Sequence, residues 1–73
     1  MNIALALREA IAAAGWSPTK LSAEVGVIEA TSRSWLTGRT VPAGDKLEIL
    51  RVRLPGLASI LDAQAREEYR RAA

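Results

Sequence analysis

The side chains able to do chemistry in this chain are few and clustered. There is no His and no Cys, so nucleophile–base pairs and metal clusters lack their usual members. What remains is hydrogen-bonding chemistry, concentrated in GVIEATSRSWLTGR, residues 26–39. Between Gly26 and Gly38 stand Thr31, Ser32, Ser34 and Thr37, together with Glu29 and Arg33 at i, i+4 spacing. Hydroxyl residues are mediocre helix formers because their side chains compete for nearby backbone groups. A helix built only to support a core uses Ala, Leu, Glu and Lys instead. Glu67 and Glu68 read as a solvated charge pair on a helix, not an acid/base dyad. The chain is therefore expected to be a non-enzyme with no cofactor, no metal site and no evident small-molecule ligand.

The elements that must position this stretch are helical. No alternating β-branched run and no Asn-Gly or Asp-Gly hairpin turn occurs. Ile3, Leu7, Ile11 and Ala14 share one face of a first helix, and Gly15 follows where a left-handed C-terminal residue suits glycine. In Ser17-Pro18 the hydroxyl can cap a second helix, with proline at the first helical position. That helix carries Leu21 and Val25 on its inner face and stops at Gly26. The third helix runs between the two bracketing glycines. A fourth starts at about Asp45, whose charge suits the positive end of the helix dipole, with Leu47, Leu50 and Leu54 as its apolar stripe. After Pro55-Gly56, a fifth covers about 57–72, with Leu57, Ile60, Leu61 and Ala65 on one side. Asp62 with Arg66 and Glu67 with Arg71 are expected ion pairs on its outer face.

At 73 residues the chain is read as one domain with little spare stability. Its 49% hydrophobic content includes 14 alanines, so the core must be thin and either helix packing or self-association has to support it. A net charge of +2 mildly favours an anionic partner. MNIALALREAIAAAG is read as the first helix and not a secretion signal, because it lacks a basic start and Arg8 and Glu9 interrupt it. No run approaches the ~18 apolar residues of a membrane span, and a cytoplasmic location is expected.

From Leu21 to Pro42 the sequence reads L-S-x-x-V-G-V-I-x-x-T-S-x-x-W-L-x-G-x-x-x-P. Leu21, Val25, Gly26, Val27, Trp35, Gly38 and Pro42 at these spacings resemble the lambda-repressor-like, Cro-type helix-turn-helix regulators, also called the xenobiotic-response-element family. The resemblance implies an all-α bundle of about five short helices. It places a helix-turn-helix at helices 2 and 3, about residues 17–38, and a recognition helix at about 28–37 in the DNA major groove. Short polar side chains and an arginine on the outward face then make sense, since the backbone must approach base edges closely. Position by position, the resemblance implies base contacts by Glu29, Ala30, Arg33, Ser34 and Thr37, with Ile28 beside them. It implies phosphate contacts by Ser17, Thr19, Lys20, Arg39, Thr40 and Lys46. Trp35 falls on a core position, and Trp16 is expected to staple the entry of the second helix. Arg51 and Arg53 are expected to be solvated.

Two positions depart from the family pattern. Ile28 stands where a capping Ser or Thr is usual, and Ser32 where a buried Ile or Val is usual; Ser22 replaces an alanine. Because 28, 32 and 35 share a helix face, Ile28 is expected to fold back over Ser32 beside Trp35, with Ser32 Oγ bonding the carbonyl of residue 28.

The family often binds as a two-fold dimer with recognition helices ~34 Å apart. The expected interface is the fifth helix, through Leu57, Ile60, Leu61 and Tyr69. The resemblance thus implies a homodimeric transcriptional regulator, a small repressor of phage or prophage type, acting on a palindromic double-stranded DNA operator. The alternative is a protein-interaction module, such as an antitoxin or anti-regulator, that uses the same fold to hold a protein partner.

Overall fold

Local start and stop signals set the helices. The computed structural model describes residues 1–72 and contains α1 (Ile3–Ala14), α2 (Pro18–Val25), α3 (Glu29–Leu36), α4 (Gly44–Arg53) and α5 (Leu57–Ala72), with no strand among the described residues. Asn2 Oδ1 accepts from the Leu5 N–H at 3.0 Å and so caps α1. Ser17 Oγ accepts from the Lys20 N–H at 3.1 Å, with Pro18 in the first turn of α2. Each satisfies one backbone donor that the helix itself leaves orphaned. Gly26, at φ 81°, closes α2, and its N–H donates to the Ser22 carbonyl at 2.9 Å. A residue with a Cβ would be strained there.

α1 is the central element. It packs against α3 and α5, α2 packs against α3 and α4, and α4 lies on α5. The core consists of Ala6, Leu7, Ala10, Leu21, Val25, Trp35, Leu50, Leu54, Leu57 and Leu61. The buried face of α1 is therefore rotated from the expected one. Ala6 and Ala10 lie deepest with Leu7, while Ile3, Ile11 and Ala14 flank the core only partly buried. Methyl side chains let α3 and α5 approach closely, and the larger isoleucines fill the edges.

The start of α1 is tied to α5 by a two-way amide contact. Gln64 Oε1 accepts from the Asn2 N–H at 2.9 Å, and Gln64 Nε2 donates to the Asn2 carbonyl at 3.0 Å. Asp62 reaches Arg51 of α4 at 3.8 Å instead of Arg66, whereas Glu67 and Arg71 pair as their spacing suggested, at 3.5 Å. Arg53 is exposed, as expected, and lies 3.4 Å from Glu24 of α2. Leu57 and Leu61 require a correction. Both are fully buried between α5 and the rest of the chain, so neither is available to a second copy, because the stripe they form closes the core of their own bundle. No helix among the described residues is long and apolar enough to cross a membrane.

Candidate functional site

α3 is an eight-residue helix with two unlike sides. Its inner side carries Ser32 and Trp35, both buried. Trp35 joins the core as expected. Ser32 is held in a different way from the one the spacing suggested. Ile28 does not cover it: that side chain is 72% exposed, and residue 28 precedes the helix in extended backbone. Ser32 Oγ instead lies 2.6 Å from Ser22 Oγ, and it is also within 3.0 Å of the Glu29 carbonyl and 3.3 Å of the Pro18 carbonyl. Ser22 Oγ donates to the Pro18 carbonyl at 3.0 Å. Ser22 and Ser32 thus meet each other across the α2–α3 contact. Each buried hydroxyl is satisfied, which removes the penalty that either would carry alone.

The outer side of α3 is open. Ala30, Arg33, Ser34, Thr37 and Arg39 line one shallow recess. Ala30, Arg33, Thr37 and Arg39 are exposed, and Ser34 is half-buried. Glu29, also half-buried, sits one turn before Arg33 and holds its guanidinium. Arg33 Nη2 and Nε donate to Glu29 Oε1 at 2.5 and 3.2 Å. The hydrogen bonds and charge of Arg33, with a further hydrogen bond from Thr19, keep the Glu29 carboxyl below its ordinary pKa of 4.5. Glu29 therefore acts first as a holder of Arg33.

Ser34 organises the end of the helix. Its carbonyl accepts from the Arg39 N–H at 3.0 Å and from Thr37 Oγ1 at 3.1 Å, and its hydroxyl accepts from Thr40 Oγ1 at 2.9 Å. The hydroxyl protons of Thr37 and Thr40 are committed within the turn, which leaves their oxygen lone pairs to accept from a ligand. At the start of α2, the Ser17 hydroxyl is committed to its cap, and Lys20 lies 5.2 Å above the Trp16 ring and 3.7 Å from Glu24. Trp16 is half-buried against the core at that entry. Thr19 is exposed beside Glu29, while Lys46 sits half-buried in the first turn of α4.

One residue was missed by sequence reasoning. Arg8 of α1 donates through Nη1 to the Leu36 carbonyl at 2.6 Å. A cation there meets the negative end of the α3 dipole and satisfies a terminal carbonyl. Nothing in the spacing marks it, since Arg8 and Leu36 are distant in sequence and lie on different helices.

The site is thus a small platform of donors and acceptors on one helix, with Arg33 preset by Glu29 and the far end secured by Arg8 and Ser34. Among the described residues, no group of His, Cys, Asp or Glu is placed to hold a metal ion. No family model matches the chain, and neither a curated protein nor a solved structure shows significant similarity to it.

Proposed function

We propose that the chain binds double-stranded DNA in a sequence-dependent manner, with α2, the Gly26 turn and α3 acting as a helix-turn-helix and α3 entering the major groove. The observation that carries this reading is the two-sidedness of α3. Ala30, Arg33, Ser34, Thr37 and Arg39 share one uncovered face, while Ser32 and Trp35 anchor the opposite side. A helix in the groove needs short polar side chains and a long guanidinium on its outer face, and it needs rigid backing. Arg33 is the principal base reader, with paired bonds to guanine O6 and N7. Exposed Ile28 and Ala30 suit thymine methyl groups. Glu29 positions Arg33 and accepts from a cytosine amino group, and Ser34 and Thr37 accept from bases or phosphates. Arg39, Thr40, Lys20, Lys46, Ser17 and Thr19 supply the sequence-blind phosphate contacts. The biological role that fits is a small repressor of phage or prophage type that blocks a promoter as a homodimer on a palindromic operator.

Selection of bound duplexes from a random DNA pool tests this directly. The expected result is an enriched site, two-fold symmetric, bound with a log–log salt slope of about −7 to −9 when about 8–10 phosphates are neutralised per dimer. Arg33→Ala is expected to weaken binding to that site by about 1–3 kcal/mol and to relax preference at one base pair. No enrichment, or binding indifferent to salt, rejects the reading and favours a protein partner for the same face.

A further inference from the structure

Apart from Lys46 in its first turn, the outer face of α4 plays no part in the DNA-binding reading, yet it carries the most exposed large apolar side chain among the described residues, Val52 at 83%. The core side of α4 is set by Leu50 and, just beyond the helix, Leu54, both buried. Away from that side, exposed Glu48, Val52 and Arg53, with Ile49 half-buried against the edge of the core, line an open and mainly apolar trough. These four residues fall on one outward strip because 48/52 and 49/53 are one turn apart. Their order is acid, apolar, then apolar, base. Read from the other end, the order is the same with the charges exchanged.

That inversion defines a partner. Two α4 helices packed antiparallel about a two-fold axis between Leu50 and Arg51 bring Ile49 of one copy onto Val52 of the other, and Glu48 onto Arg53. The symmetry repeats both contacts. Such self-complementarity is the requirement of an isologous two-fold interface, in which one patch must match itself. A parallel arrangement would set Glu48 on Glu48 and Arg53 on Arg53. We infer that a second copy of this chain docks on the α4 face, through Ile49 and Val52 flanked by reciprocal Glu48–Arg53 pairs. The fifth helix cannot serve with Leu57 and Leu61, which are already spent on the core. The α4 strip is narrow beside the roughly 1,200 Å² of a stable specific interface, so the dimer is weak and concentration-dependent. Arg53 also lies 3.4 Å from Glu24 and exchanges or shares that partner on docking. The inference concerns the chain without DNA and stands or falls separately from the proposed function.

The test is sedimentation equilibrium of the free chain over a wide concentration range, with helicity and melting temperature recorded for each variant. Wild type is expected to pass from monomer to dimer. Val52→Asp, at a position exposed in the monomer, is expected to weaken association at least tenfold, with only the small loss of melting temperature that an acid in the last turn of α4 carries. Glu48→Arg and Arg53→Glu are each expected to be monomeric alone, since each sets like charges together, and to dimerise when mixed, since the mixture restores both pairs. Tyr69→Ala on α5 is expected to leave association unchanged. A wild-type chain that stays monomeric throughout overturns the inference and leaves the strip to another partner. So does a dimer that tolerates Val52→Asp but is lost in Tyr69→Ala, or a mixture of the charge variants that fails to associate.

Discussion

Ser22 Oγ and Ser32 Oγ lie 2.6 Å apart, both buried, at the contact between the helix that supports the candidate site and the helix that presents it. The pair fixes where α3 sits on α2: one hydroxyl donates to the other, whose own proton goes to a carbonyl, that of Pro18 from Ser22 or that of Glu29 from Ser32. Removing one partner strands the other less than usual, since Ser22 keeps Pro18 and Ser32 keeps Glu29. Ser22→Ala and Ser32→Ala are each expected to cost about 1 kcal/mol. The double variant is expected to cost less than their sum, with a coupling of at least about 0.5 kcal/mol in a denaturant-unfolding cycle. Ser32→Ile alone overfills the site against Ser22 and is expected to cost about 1–3 kcal/mol.

Ile28 gives the opposite prediction. α3 begins without a side-chain cap, and the residue that occupies the cap position is an exposed isoleucine. Ile28→Ser restores an oxygen for an orphaned N–H while removing no buried volume. It is expected to raise stability by about 0.5–2 kcal/mol, measured as the midpoint of thermal or urea unfolding. A loss of stability would show that the side chain packs against its neighbours after all.

Arg8 should matter to the far end of α3 more than to the fold as a whole. Arg8→Gln removes the cation from the Leu36 carbonyl and is expected to cost about 0.5–1 kcal/mol. Its readout is local: faster amide hydrogen exchange from residue 37 to residue 40, where the backbone bonds to Ser34 and neighbouring carbonyls begin to open. Uniform acceleration across the molecule would contradict this.

The Glu29–Arg33 pair has a signed pH dependence. The carboxyl is held below its ordinary pKa by the hydrogen bonds and charge of Arg33. A depressed folded-state pKa means that the pair stabilises the fold above the unfolded carboxyl's pKa of 4.5, and that this contribution is lost as pH falls through the lower folded value. Wild type is therefore expected to exceed Glu29→Gln slightly in melting temperature at neutral pH. The difference should shrink on acidification below that range, and shrink also at 1 M salt because both side chains face solvent. A gap that widens as the pH falls has the wrong sign.

On DNA, the same pair separates holding from reading. Arg33→Ala is expected to cost about 1–3 kcal/mol on the selected site and to relax preference at one base pair. Glu29→Gln frees the guanidinium and removes a negative charge, so it is expected to strengthen binding to unrelated sequences and narrow the gap between specific and non-specific sites. Competition titrations at fixed salt measure both effects.

Local chemistry made the helices legible in the sequence. Ser17-Pro18 starts α2 and Gly26 ends it, and the α3, α4 and α5 boundaries fall within a residue or so of their expected places, because caps, glycine turns and proline act on neighbours a few bonds away. The outward placement of Ala30, Arg33 and Thr37 and the burial of Trp35 agree with what the family resemblance implied for those positions. Other features belonged to the packed structure. Alanine suits both an exposed helix and a close contact, so nothing in α1 marked Ala6 and Ala10 as the deepest residues. A serine has no intrinsic address: Ser32 is tolerable inside only because Ser22 arrives from another helix. The stripe of α5 announced burial but not against what, and the bundle took Leu57 and Leu61 for itself. Sequence thus determined where each helix begins and ends, since those are short-range matters. Which polar groups meet, which stripes close the core and which are left over were decided only when five helices shared one small volume.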